Sequence, residues 1–372
     1  MNAGGKLLVV GPAWVGDMVM AQSLYRDLAA RRSGVEIHVI APGWSLPLVG
    51  RMPEVARAIE IDVAHGELGF AKRRALGLCL RAERYDEAIV LPRSLKAALV
   101  PYVARIPVRT GFRGEWRYGL INDMRTLDRD RLDGTVLRYV ALGSADKGDK
   151  PRVLPPKLAV DLENQRTLTE RLGLASDRPV VALLPGAEYG PAKCWPIANY
   201  GALAQRLVQS GAAVWVLGSA AEKPLGDEIR ERAPDPSVHN LCGATTLVDA
   251  VDLLGAAVAA VSNDSGLMHV AAAVGAHVVA IYGSTSPQFT PPLTDAKTVC
   301  YENLDCSPCF ERQCPLKHLN CLRGITVDTV YDAAMNAVAG GADGRSGSDR
   351  SRIAADDDGN PDSGRPHVAA DG

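Results

Sequence analysis

From Lys6 onward the chain repeats one unit: a short apolar run, a loop bearing glycine or proline, then a stretch with the period of a helix. Residues 6–10 pass through Gly11-Pro12-Ala13-Trp14-Val15-Gly16-Asp17 into a helical pattern over 18–30, and a second run at 35–41 ends at Pro42-Gly43. A short third run at 58–61, a basic helix over 70–84, a fourth run at 86–91 and a helix opened by Pro92-Arg93-Ser94 complete the first series. Apolar runs separated by helices pair in parallel through crossover connections. The pattern therefore predicts an α/β fold with a doubly wound, mostly parallel sheet. In such sheets ligands collect at the carboxyl ends of the strands, where the glycine-bearing loops fall.

The series then starts again. Residues 143–156, with Lys147-Gly148-Asp149-Lys150-Pro151 and Pro155-Pro156, read as a linker. Beyond it come strands at 179–184, 212–217, 238–241 and 256–261 and a last strand at 278–282, interleaved with helices over 163–172, 197–209, 247–254 and 270–274. Two domains are expected, 1–150 and 151–338, the second closed by a helix at 327–338. The remainder, 339–372, is rich in Gly, Asp, Ser and Arg without periodicity and is expected to be disordered.

Composition narrows the partners. Over 372 residues, 47% are hydrophobic and 23% charged, with a formal net charge of -2, so nothing in the overall charge points to nucleic acid. The apolar run at 7–10 is too short for a signal peptide, and the longest one, 270–282, is broken by Gly275 and His277. A cytoplasmic location is expected. Of the eight cysteines, Cys300, Cys306, Cys309, Cys314 and Cys321 crowd into one segment. The spacing Cys306-x2-Cys309-x4-Cys314-x6-Cys321 fits neither a common zinc ribbon nor a ferredoxin run, and a structural zinc is one reading of it.

The junction Val261-Ser262-Asn263-Asp264-Ser265-Gly266-Leu267-Met268-His269 joins an apolar run to an Ala-rich helical one. Asn, Asp and Ser cap helix N-termini, Gly266 allows a ligand to approach the backbone, and the helix start offers unpaired N–H groups to an anion such as a pyrophosphate. His269 falls about one turn in. Two more loops follow strands of the same half: Pro185-Gly186-Ala187-Glu188-Tyr189-Gly190-Pro191-Ala192-Lys193, and Gly218-Ser219 with Glu222 shortly after. Three such loops would line one sheet edge. In the first half, residues 105–131 carry Arg105, Arg109, Arg113, Arg117, Arg125, Arg129 and Arg131, a basic face suited to gripping phosphate.

Several of these motifs together resemble the ADP-heptose:lipopolysaccharide heptosyltransferases of glycosyltransferase family 9. The resemblance rests on residues 11–18, 185–193, 263–273 and 289–293, supported by Arg51-Met52-Pro53-Glu54-Val55 and Arg113-Gly114-Glu115-Trp116-Arg117-Tyr118-Gly119-Leu120, and runs from about Lys6 to Val338. It implies a GT-B architecture, two Rossmann-like domains facing a central cleft, with acceptor on the first domain and ADP-heptose on the second. It also implies an inverting, metal-independent transfer of L-glycero-D-manno-heptose to the first heptose of the inner core, on a heptosyl-Kdo2-lipid A acceptor.

Such a reaction needs a base for the acceptor hydroxyl and donors for the departing diphosphate. The resemblance makes Asp17 that base and Lys193 the cation on the diphosphate. Gly186, Ser219, Glu222, Asp264, Ser265, Gly266 and His269 are expected around the nucleotide, and Gly16, Arg51, Arg113 and Arg117 around the acceptor. No cofactor is implied. Contact with the inner leaflet of the inner membrane would be peripheral, aided by the Arg-rich face.

Position 194 is Cys where many relatives carry Arg, which puts more weight on Lys193. Asp128-Arg129-Asp130 has the letters of a metal-dependent transferase motif but lies in the Arg-rich stretch instead of after an apolar strand. A dinucleotide oxidoreductase would want Gly-x-Gly-x-x-Gly after the first strand, a spacing Gly11 and Gly16 lack. A heptosyltransferase of another core acceptor, or a non-catalytic sugar-nucleotide binder without need of Asp17, are the other readings.

Overall fold

The computed structural model describes residues 4–63, 67–144, 151–175 and 177–344. Within them the first half forms β1 (Lys6–Val10), α1 (Val15–Arg31), β2 (Glu36–Ala41), α2 (Leu46–Val49), β3 (Val55–Glu60), α3 (Phe70–Leu80), β4 (Glu87–Val90), α4 (Leu99–Val103), β5 (Val108–Phe112), β6 (Asp123–Arg125) and α5 (Thr135–Gly143). The second half forms α6 (Leu162–Arg171), β7 (Val180–Leu184), α7 (Ile197–Gln209), β8 (Ala213–Val216), α8 (Lys223–Arg232), β9 (Val238–Asn240), α9 (Leu247–Ala256), β10 (Ala259–Asn263), α10 (Gly266–Ala273), β11 (His277–Tyr282), β12 (Lys297–Tyr301), α11 (Asn320–Arg323) and α12 (Val327–Gly344).

The strands make two six-stranded sheets, ordered β3-β2-β1-β4-β5-β6 and β12-β11-β10-β7-β8-β9, and every named pairing is parallel. Read from β9, the second order repeats the first. Each sheet reverses direction of winding between its first and fourth strands, β1 with β4 and β7 with β10, and a crevice opens there at the carboxyl ends. The central strands are buried on both faces, as the unbroken apolar run Val180–Leu184 requires.

Four differences from the sequence reading matter. The helix expected over 18–30 begins at Val15, which puts Gly16 and Asp17 in its first turn. The Arg-rich stretch is not one solvated surface: β5, β6 and their loop run through it, and α5 follows. Their hydrophobic period is interrupted by Arg and Asp, which hid them. A further edge strand, β12, follows the one expected to be last. The final helix runs on to Gly344, so the expected disordered tail is helical at its start. Its remainder, 345–372, and linker residues 145–150 lie outside the described residues.

The two halves share one apolar cluster, in which Met18, Leu24 and Val140 of the first half pack in continuity with Val251, Met268 and Ala271 of the second. Two smaller clusters fill the outer sheet faces, one under α3 and α4 and the other under α7 and α12. The chain that leaves the first half is gripped at the join: Gln22 donates to the Lys157 carbonyl at 2.6 Å and accepts from the Lys157 N–H at 3.0 Å. Leu158 N–H donates to the Ala273 carbonyl at 3.0 Å, and Ala159 N–H to that of Arg51 at 2.8 Å.

Candidate active site

Helices α1 and α10 each follow the first or fourth strand of a sheet, and their N-termini meet. A Cβ on Gly266 would lie 2.7 Å from Val15 Cβ, and one on Gly16 would lie 2.7 Å from His269 Cδ2. Glycine at both places lets two helix starts touch. Neither N-cap, Trp14 or Ser265, bonds the first turn through its side chain. Two positive dipole ends thus converge in one place, which favours an anion.

Asp17 sits half-buried beside this junction and accepts a hydrogen bond from the hydroxyl of Tyr139 on α5. Burial pushes its carboxyl up to about 6; Lys193 and the Tyr139 hydrogen bond act against that rise, and Asp264 adds to it. A carboxylate with this value is ionised near neutrality yet basic enough to accept a proton. The Lys193 ammonium lies close enough for its field to act on Asp17, so the two sequence-predicted reacting groups, from different halves, come near one another.

Lys193 is held by Asp264. Its Nζ is 2.6 Å from Asp264 Oδ2 and 3.3 Å from the Asp264 carbonyl. The same carboxylate accepts from Thr285 Oγ1 at 2.7 Å and from Thr290 Oγ1 at 3.2 Å. Asp264 is buried, and its carboxylate positions Lys193 and the 285–290 loop. It does not cap α10, whose N-cap is Ser265. Lys193 Nζ also lies 5.0 Å from the centre of the Tyr189 ring, and the Arg312 guanidinium lies 5.1 Å from that centre. A second cation therefore stands where Cys194 supplies none.

His269 is buried against Gly16, and burial lowers its imidazole to about 4. It is neutral at physiological pH and packs where the starts of α1 and α10 meet. At the ends of β7 and β8, Gly186, Ser219 and Glu222 gather. A Cβ on Gly186 would overlap Glu222 Oε1, while Glu222 Oε2 accepts from Ser219 N–H at 2.6 Å in a capping box. One carboxylate oxygen of Glu222 thus caps a helix and the other is left at the crevice.

A sequence profile for glycosyltransferase family 9 (heptosyltransferase) matches residues 73–320. Lipopolysaccharide heptosyltransferase 2 of Salmonella typhimurium is 49% identical over 299 residues, 78% of this chain and 86% of that one. The chain belongs to glycosyltransferase family 9. Lipooligosaccharide heptosyltransferase 2 of Haemophilus influenzae is 46% identical over 304 residues, 79% of this chain and 87% of its own length. The solved structure of E. coli ADP-heptose lps heptosyltransferase II matches with a TM-score of 0.80 at 42% identity, covering 90% of this chain and 99% of that one. The GT-B arrangement expected from the motifs is the one observed.

In this glycosyltransferase the arginines are placed less simply than the motifs suggested. Arg51 bonds Asp252 Oδ2 at 2.7 Å, and Asp252 is fully buried in α9 of the other half, where it also accepts from Asn164 Nδ2 at 2.7 Å and Asp161 N–H at 2.8 Å. Arg51 ties the halves together. Arg117 is fully buried and donates to the carbonyls of Pro92, at 2.7 Å, and Phe112. It braces the loops that end β4 and β5, so its expected acceptor contact is corrected. Arg109 and Arg125 likewise serve backbone carbonyls. Of the expected acceptor arginines, only Arg113 is exposed.

Arg93, Arg129 and Arg138 are the guanidinium groups that draw together. Burial lowers Arg138 foremost, and repulsion from Arg129 and Arg93 adds to it. Arg138 lies 4.8 Å over the Phe289 ring and is the chain neighbour of Tyr139. Tyr139 and Arg138, on a helix with no ligand-type loop, carried no local signal. Thr285 had one, its place in Gly283-Ser284-Thr285-Ser286-Pro287 just past a strand.

Asp128 Oδ1 accepts from the N–H groups of Asp130 and Arg131 at 3.2 and 3.1 Å, closing a turn, as a chance Asp-x-Asp would. Cys306, Cys309, Cys314 and Cys321 are free thiols. Among the described residues no group of three or more His, Cys, Asp or Glu side chains is arranged to hold a metal ion.

Proposed function

We propose that this family 9 enzyme is a heptosyltransferase II: it moves L-glycero-D-manno-heptose from ADP-heptose to the first heptose of the lipopolysaccharide inner core, with inversion and Asp17 as general base. The observation that carries the mechanism is the carboxyl of Asp17, held up to about 6 and near Lys193 across the join of the halves. The acceptor hydroxyl gives its proton to Asp17 as its oxygen bonds to C1 of the donor heptose. The bond from C1 to the ADP oxygen breaks on the opposite face, and ADP leaves with the electron pair. Lys193, Arg312 and the N–H groups at the start of α10 take up the charge on the departing diphosphate. These cations and helix ends supply the role a divalent ion has in metal-dependent transferases, which supports a metal-independent reaction.

Glu222, with one oxygen at the crevice beside Gly186, is assigned to the ribose hydroxyls. Arg93, Arg129 and Arg138, with Arg113 at the rim, are assigned to the anionic groups of a heptosyl-Kdo2-lipid A acceptor. Among the described residues no helix is long and apolar enough to cross a membrane. This fits an enzyme in the cytoplasm that meets its lipid-linked acceptor at the inner leaflet by peripheral contact.

The test is transfer from ADP-heptose to Kdo2-lipid A with and without its first heptose, in the presence and absence of a chelator. Heptose should move only to the acceptor that already bears one, at a rate the chelator leaves unchanged. Activity restricted to the acceptor lacking heptose would reassign the enzyme to the preceding step. Chelator-sensitive transfer would overturn the metal-independent mechanism.

A further inference from the structure

The layer formed by α3 and α4 covers the face of the first sheet that is turned away from the second half, and it carries large apolar side chains on its outside. Leu68 and Phe70 stand exposed where α3 begins, Leu78 near its end and Tyr102 on α4, with Phe70 at 55% and Tyr102 at 49% of full exposure. Phe70, Arg74 and Leu78 fall at successive four-residue steps and so form one stripe of α3. The adjoining stripe, which turns inward, holds Arg73 and Gly77, both buried, and a Cβ on Gly77 would press within 2.7 Å of Val103 on α4.

The two helices lie side by side, joined near one end by Lys96 Nζ donating to the Glu67 carbonyl at 3.1 Å and at the other by Arg81 Nε donating to that of Val103 at 2.8 Å. From Tyr102 the surface continues through Arg109, whose guanidinium lies 5.7 Å from the ring and donates to the carbonyls of Gly119 and Leu120. There Tyr118 stacks edge-on against Trp116, which is 85% exposed. The surface thus runs from α3 to the loop between β5 and β6, at the carboxyl edge of the sheet where the cleft opens.

Exposed aromatic and aliphatic groups in a continuous strip are unusual on a protein that stays in water, and they mark a surface that something covers. Charge selects the partner. The chain as a whole has a net charge of -2, yet the exposed side chains of residues 67–119 include seven Lys and Arg against three Asp and Glu. A basic surface bearing aromatic and aliphatic groups suits a layer of anionic headgroups, into which the apolar groups insert while the cations meet phosphate.

We propose that the outer face of α3 and α4, with the Trp116–Tyr118 tip, docks this enzyme on an anionic lipid surface. The orientation rests on the proposed lipid-linked acceptor: lying on this face, the enzyme turns the mouth of its cleft toward a saccharide anchored in the same bilayer.

Flotation of the full chain with phosphatidylcholine vesicles, with and without phosphatidylglycerol, tests the docking face. The protein should float with the anionic vesicles and be released by salt. The pairs Phe70→Ser with Leu78→Ser, and Lys72→Glu with Arg74→Glu, should each weaken that binding at least ~10-fold. Both pairs should keep wild-type melting behaviour and wild-type transfer to a deacylated, water-soluble acceptor. Binding to neutral vesicles as strong as to anionic ones, no vesicle binding, or variants that float like the parent would each overturn the proposal. So would a concentration-dependent dimer that the same variants abolish, since the face would then belong to a second copy. A parent enzyme inactive on the soluble acceptor would instead sink the proposed function, and flotation would still decide the docking face.

Discussion

Gly16 and Gly266 open helices in different halves and lie against each other, so that a Cβ added to Gly16 would stand 3.5 Å from Gly266 Cα and 2.7 Å from His269 Cδ2. The residue next to Gly16 is the proposed base, and the residue before Gly266 caps the helix proposed to hold diphosphate. Gly16→Ala would push α1 away from α10 and move Asp17 with it. A loss of about 1–3 kcal/mol in stability is expected from the overpacking. The fall in kcat should exceed the change in ADP affinity; thermal melts and steady-state kinetics on the variant measure both.

Asp17→Asn should abolish transfer while ADP still binds. The expected loss in kcat is about 10²–10⁴-fold, the range for removing a general base. The same change should make the protein more stable at neutral pH. The folded-state value of about 6 lies above the model-compound value of 3.8, so the folded protein binds the proton more tightly and ionised Asp17 costs stability once the pH exceeds both. At most this is roughly 3 kcal/mol, and it vanishes below both values. Denaturant midpoints of parent and variant at neutral and at strongly acid pH check the sign.

For the parent enzyme, kcat/KM should rise with pH through an acid limb near 6, as Asp17 loses its proton. Tyr139→Phe removes a hydrogen bond that favours the ionised form. The limb should then move to higher pH, with little change in the plateau for donor binding. A pH–rate profile unchanged by Tyr139→Phe would remove Tyr139 from any role in setting the base.

Lys193→Ala and Arg312→Ala should both weaken ADP binding, Lys193→Ala more, because Lys193 is locked toward the site by Asp264 while Arg312 is exposed. Asp264→Ala should mimic Lys193→Ala in ADP affinity and also lower stability, since it strips Thr285 and Thr290 of their acceptor. Calorimetric titration with ADP separates the three. Equal affinity in Asp264→Ala and parent would mean that Lys193 needs no positioning.

Arg51→Ala should act on the fold and leave acceptor use alone. It leaves Asp252 fully buried without its cation, a loss that commonly costs about 3–5 kcal/mol. The melting temperature should fall, while KM for acceptor in the surviving folded protein stays unchanged. A raised acceptor KM without destabilisation would restore Arg51 to the binding site.

Strand and loop positions in the second half were readable because parallel buried strands are written as unbroken apolar runs, and the loops after them carry Gly, Ser and Asp. Asp17 and Lys193 were singled out by the resemblance of motifs at such strand ends, and the structure brings them near one another. The roles of the arginines were not readable, because a guanidinium that braces carbonyls and one that awaits a phosphate are the same letter. Arg117 lies in a loop that looks exposed, and only its burial against Pro92 and Phe112 shows what it does. The partners of Asp264 were not readable for a related reason. Its type and place fit a helix cap, but its partners come from Lys193, Thr285 and Thr290, all distant in sequence. β5 and β6 escaped notice because both are short and interrupted by Arg or Asp, and β6 lies at the sheet edge, so neither has a long apolar run to betray it.

The shared apolar cluster has a consequence for how this enzyme can be rebuilt. Since α1 and α5 of one half and α9 and α10 of the other close a single interior, neither half carries a finished surface at the join. A chimera that takes its acceptor half from one relative and its nucleotide half from another would inherit two mismatched inner walls. Donor and acceptor preferences are therefore exchangeable by transplanting the strand-end loops into an intact seam, not by cutting the chain at the linker.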